Sequence, residues 1–179
     1  MILWQHFVLR QKTLWMGVIV VVSCGLELLA ADPLPAPEVP RKGLFTKEDY
    51  DRHLALLQKR LPHEGFSIVV QKPFVVIGDE PLETVKLRAR QTVQWAVDHL
   101  KQDYFSDDPT EILDVWLFRD ADSYITHTSE LTRRKPTMPY GFYSSADKAL
   151  FMNIATGGGT LVHEIVHAFM ASKFPDCPS

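Results

Sequence analysis

The sequence predicts an α+β fold, a small mixed sheet packed on helices with an apolar helix last. Three observations predict it. Short runs rich in β-branched and aromatic residues occur at 67–70, 73–77, 112–118, 140–143 and 149–154. Between them, apolar residues recur every three or four positions, the spacing of one helix face. The final stretch, Thr160 to Phe169, is the most apolar of the helical ones. With 179 residues, 46% hydrophobic and 23% charged, the chain can build one domain around a real core.

Taken in order, Thr46 with Asp49 three residues on reads as an N-cap and an acidic first turn. Tyr50, Leu54, Leu57 and Leu61 follow at helical spacing until Pro62. The runs at 67–70 and 73–77 are two strands or one bent strand, and Gly78-Asp79 is a turn. Pro81 opens a helix at its first position. Its buried stripe is Val85, Ala89, Val93, Ala96, Val97 and Leu100, and Asp107-Asp108-Pro109 breaks it. The run 112–118 is apolar on both faces and is expected inside the sheet. Asp120 or Asp122 caps a short helix through Tyr124 and Ile125. Residues 131–139 form a loop whose Arg133, Arg134 and Lys135 read as solvated rather than as a surface for an acidic partner. Residues 140–143 and 149–154 pair around a polar turn. His53, His63, His99 and His127 lie scattered beside polar residues and read as surface positions.

The first 31 residues stand apart from this pattern. Arg10 and Lys12 precede a nearly unbroken apolar run from Leu14 to Val22, and small residues end at Ala31, as in a secretory signal. Val21-Val22-Ser23-Cys24 also fits a lipoprotein signal, and an uncleaved anchor is a third reading, so a membrane tether through this segment stays open. All three imply export, to the periplasm, the outside of the cell or a lipid-anchored position. Pro33, Pro35, Pro37 and Pro40 make residues 32–43 an extended linker, and the domain occupies 44–179. A net charge of −3 gives no electrostatic footprint for nucleic acid. Gly157-Gly158-Gly159 lacks the Lys-Ser/Thr of a phosphate loop and the spacing of a dinucleotide fingerprint, and reads as a tight approach to the last helix.

That helix carries His163-Glu164-Ile165-Val166-His167. Residues four apart share a helix face, so two imidazoles can meet one metal ion, and Glu164 beside them can take a proton from water. The bland alternative is a core helix with two hydrogen-bonded histidines and a capping glutamate. The stretch resembles the active-site helix of zincin metallopeptidases, most closely the gluzincin or peptidase-MA-type domains, over roughly residues 112–172. The resemblance implies Zn²⁺ held by His163 and His167, Glu164 as general base, a zincin-like N-terminal subdomain, and an edge strand that pairs with an extended peptide or protein substrate. Tyr140 and Tyr143 are candidate oxyanion donors, or structural tyrosines of the strand pair.

A catalytic zinc takes three protein ligands. The metzincin positions for a third ligand and its glycine hold Lys173 and Met170, and no glutamate follows His167. Asp176 and Cys177 are the remaining late donors. Two readings fit: the front part of a longer exported zinc peptidase, lacking its third ligand and inactive alone, or a non-catalytic exported binding or scaffold domain with a degenerate zincin site. Cys24 and Cys177 are expected to stay unpaired with each other.

Overall fold

A computed structural model describes residues 45–174. The signal-like segment, the proline linker, Asp176 and Cys177 lie outside those residues.

Helix α1, Lys47–Leu57, starts from Thr46, whose hydroxyl accepts from the Asp49 amide while the Asp49 carboxylate accepts from the Thr46 amide. This reciprocal box satisfies donors that a helix start otherwise leaves open. A short 3₁₀ turn, Gln58–Arg60, follows and ends before Pro62. Strands β1, Ser67–Gln71, and β2, Phe74–Gly78, form an antiparallel hairpin, so the two-strand alternative holds. Gly78 still pairs with Ser67, so the strand runs one residue into the expected turn.

The next helical run has three parts: α2, Leu82–Arg88, a π-helical segment, Ala89–Gln94, and α3, Trp95–Asp103. Pro81 sits at the cap rather than inside the first turn. All six residues of the expected stripe are buried. Val85, Ala89, Val93 and Val97 are spaced by four, which drifts around a helix of 3.6 residues per turn. The wider π turn takes up that drift and keeps the stripe facing the sheet. The run ends at Asp103, ahead of the Asp-Asp-Pro break, with Tyr104 as its cap.

Strand β3, Leu113–Phe118, is buried at every position. Helix α4, Ala121–Thr132, is capped by Asp120, which accepts from the Ser123 amide at 2.8 Å. It is longer than expected and takes Leu131 and Thr132 out of the loop. Arg133 then ends it in the left-handed region, at φ 59°. Strands β4, Gly141–Ser144, and β5, Ala149–Asn153, pair antiparallel as expected. A 3₁₀ turn leads into α5, Gly158–Lys173.

The five strands lie in the order β1-β2-β3-β5-β4. β2, β3 and β5 run parallel, and the two edge strands are antiparallel to their neighbours. The fold is therefore mixed α+β, with helices on both faces of one sheet. One face packs Phe74, Val76, Val115, Leu117 and Leu150 against α2, α3 and α5. The other packs Val75, Ile77, Trp116, Phe118 and Phe151 against α1 and α4. Among the described residues no helix is long and apolar enough to cross a membrane.

Candidate metal centre

Helix α5 starts where Gly157, at φ 100°, turns the chain in a conformation that side-chain-bearing residues rarely adopt. Gly158 then lies close under α2–α3, since a Cβ there would meet the Thr92 side chain at 3.2 Å. The buried face of α5 is Leu161, Ile165, Ala168 and Phe169, with Phe169 against Phe74 and Phe105. The far end is tied to the loop before β3, where Ser172 Oγ accepts from the Thr110 amide at 2.8 Å.

These contacts decide where the motif points. His163 and His167 fall on the solvent side of the helix and are exposed. Their Nε2 atoms are 3.0 Å apart, with the rings nearly perpendicular. Two nitrogens bound to one zinc at ordinary bond lengths and a tetrahedral angle stand about 3.3 Å apart. The pair therefore fits two neighbouring corners of such a site with a shift of a few tenths of an ångström. The same separation suits one ring N–H donating to the other ring's bare nitrogen.

Glu164 comes three residues after the buried Leu161, so it flanks the packed face and is half-buried. Its Oε2 accepts from the Tyr143 amide of β4 at 2.9 Å. β4 is the sheet edge, and Tyr143 is one of the residues whose amide turns away from β5. The glutamate thus lies between its own helix and the open strand edge. Nearby, burial pushes the Tyr124 phenol up to about 12, with repulsion from the Glu164 carboxylate adding to it. That phenol donates to the Met138 carbonyl at 2.8 Å and secures the loop leading into β4.

His163, Glu164 and His167 are brought to one end of the sheet. Among the described residues, no group of three or more His, Cys, Asp or Glu side chains is placed to hold a metal ion, so they contribute two donors. Met170 and Lys173 are exposed on α5. Of the tyrosines, Tyr140 is exposed, while Tyr143 is half-buried with its phenol raised first by burial and then by Glu111. Neither phenol hydroxyl makes a hydrogen bond to Glu164; it is the backbone of Tyr143 that does.

No family model, curated protein or solved structure matches this chain.

Two histidines depart from the surface positions expected of them. His53 Nε2 lies 2.7 Å from Asp114, a carboxylate only 2% exposed on the central strand. His127 stacks on Phe118 and meets Phe66 edge-on. The Tyr143 amide was not legible from the sequence as a partner of Glu164. The only signal for it was the strand pattern just ahead of the motif helix, because a backbone donor carries no residue-type signature.

Proposed function

We propose that this chain carries the zinc-binding helix and edge strand of an exported zinc-dependent peptidase with a zincin-like, gluzincin-type subdomain. The observation that carries the reading is the convergence of the His163 and His167 Nε2 atoms to 3.0 Å on an exposed helix face, with Glu164 held beside them at the sheet edge.

His163 and His167 would hold the ion, with a further protein donor from outside the described residues. Zinc in such a site acidifies water and polarises a carbonyl oxygen. Glu164 takes the proton of the attacking water and passes it to the leaving amine as the C–N bond breaks. The Tyr143 amide holds Oε2, so the carboxylate plane is fixed and Oε1 is the oxygen that moves the proton. β4 offers its outward backbone groups other than the Tyr143 amide to an extended substrate. The N-terminal signal pattern supports an exported protein, since a positive flank, an apolar run and small residues follow one another in that order.

The second reading is a non-catalytic exported binding or scaffold domain. It is favoured by one observation, that the described residues bring together two metal donors and no third.

Zinc binding and cleavage measured on the natural gene product separate the two. His163→Ala and His167→Ala should each abolish stoichiometric zinc binding. Glu164→Gln should keep the metal and lower peptide cleavage by roughly a hundredfold or more, the contribution of a positioned base. Full cleavage by Glu164→Gln, or zinc binding indifferent to His163→Ala, would sink the peptidase reading. A wild type with neither stoichiometric zinc nor cleavage would favour the scaffold.

A further inference from the structure

The loop between α4 and β4 builds one wall of a cleft against the edge strand. The cleft has a volume of about 480 Å³ and is lined by Thr132, Arg134, Lys135, Phe142 and Ser144 among others. That volume is in the range of pockets that take a side chain or small ligand. The wall is fixed in place. Arg133 turns the chain at positive φ, and the Thr132 hydroxyl bonds the Arg134 carbonyl at 3.0 Å. Tyr124 holds the Met138 carbonyl, and Asn153 Nδ2 donates to the Pro139 carbonyl at 3.2 Å.

The cleft is cationic. Arg134 is 72% exposed at its side chain and forms a loose ion pair with Asp147 at 3.8 Å, beyond hydrogen-bonding distance. Asp147 is already engaged, since its Oδ2 accepts from the Ser144 hydroxyl at 2.6 Å. Lys135 lines the cleft beside Arg134, and the nearby acids are each held by another group, Asp147 by the Ser144 hydroxyl and Glu164 by the Tyr143 amide.

We propose that this cleft is a side-chain subsite for an acidic residue of an extended peptide added to β4 through its outward groups other than the Tyr143 amide, which Glu164 holds. A strand paired to the edge sets its side chains alternately on the two sheet faces. Those on the Phe142 face enter the cleft, where the Arg134 guanidinium can take a carboxylate in a two-pronged hydrogen bond and Lys135 adds a point charge. The substrate class of the site is then a peptide with a Glu or Asp one or two strand positions from the Glu164 carboxylate. The inference rests on the peptidase reading only for the purpose of the peptide, and the test separates the two.

The test is fluorescence-anisotropy binding of a labelled extended peptide with one central glutamate, against the same peptide carrying glutamine. Full-length chain is used, and zinc titration is run on the same samples. The glutamate peptide should bind about tenfold tighter, the effect of one charged hydrogen bond. The combined change Arg134→Ala and Lys135→Ala should erase the preference, and Arg134→Glu should turn it toward a lysine peptide. Equal binding of the two peptides, binding of neither, or a preference that survives the alanine changes would overturn the subsite. The zinc titration reports on His163 and His167 alone. Its failure would count against the peptidase and leave the subsite to be judged by the peptides.

Discussion

At the scale of single residues, the two acids that matter most do opposite things with similar partners. Glu164 accepts a backbone amide from another element, which fixes a group available for chemistry. Asp120 accepts the Ser123 amide of its own helix, which closes the start of α4. The Asp120 carboxyl is held below the usual carboxylate range, first by the Ser123 amide and then by Arg119. A lowered native value means stability that is present above the unfolded carboxylate range and lost as pH falls through the native value. Asp120→Ala should therefore lower the melting temperature at pH 7. The gap to wild type should begin to narrow as pH falls below about 4, where the unfolded carboxyl takes up its proton, and should close only at lower pH, once the native carboxyl is protonated too. A gap that stays constant into acid would show that charge is not what the cap supplies. The cap was legible from the sequence as Asp120 or Asp122, and the structure settles it as Asp120, which immediately precedes the helix. Asp114 was not legible. It sits in an apolar run, and the arrival of His53 from α1, with Arg60 near the other oxygen, explains how a carboxylate tolerates that burial.

At the scale of elements, β4 is the strand on which both the proposed chemistry and the proposed subsite depend. It is short, it lies at the sheet edge, and its start is sterically demanding. Gly141 has φ 150°, and a Cβ there would lie 2.8 Å from the Phe151 carbonyl and 2.5 Å from Met152 Cε. The methionine end can move, but the backbone oxygen of the paired strand cannot without breaking the ladder. Gly141→Ala should cost about 1–3 kcal/mol in chemical denaturation, the range of a strained backbone position. It should also weaken peptide binding along β4. An alanine variant as stable as wild type would mean that β4 relaxes freely, and that it is a poor platform for either role. The hairpin of β4 and β5 was visible in the sequence as two apolar runs around a polar turn. The length of α4 was not, because Leu131 and Thr132 precede a cluster of basic residues and carry no stop signal of their own. Arg133 provides that stop by adopting a left-handed conformation that glycine or asparagine usually takes.

At the scale of the whole molecule, the sheet divides the protein into two packed faces with different tasks. The face bearing α2, α3 and α5 presents the histidine pair, and the face bearing α1 and α4 supports the cationic loop. His53 to Asp114 is a link across the second face, joining residues 61 apart in the chain at 2.7 Å, with Arg60 at 3.8 Å from the other carboxylate oxygen. His53→Ala should destabilise the fold by about 2 kcal/mol, the loss of a hydrogen bond to a charged group. The histidine pair on the opposite face should keep its response to zinc. A loss of zinc binding in that variant would show that α1 governs the seating of α5, which the separate packing of the two faces argues against.

The positions of the elements followed from the chain itself. Strand runs, caps and helical stripes are local patterns, and a helix with histidines four apart shares one face wherever it packs. The partners were settled by packing. Leu161, Ile165 and Phe169 bury one side of α5, and that alone turns His163 and His167 outward and aims Glu164 at the edge of β4. The same holds for the basic loop. Three adjacent cations read as solvated surface until Tyr124 and Asn153, each distant in sequence, pin the loop against β4 and turn it into the wall of a cleft. The physical reason is one of range. Helix and strand formation answer to neighbours within a few residues, whereas a site forms only when buried apolar faces bring remote side chains and backbone amides together.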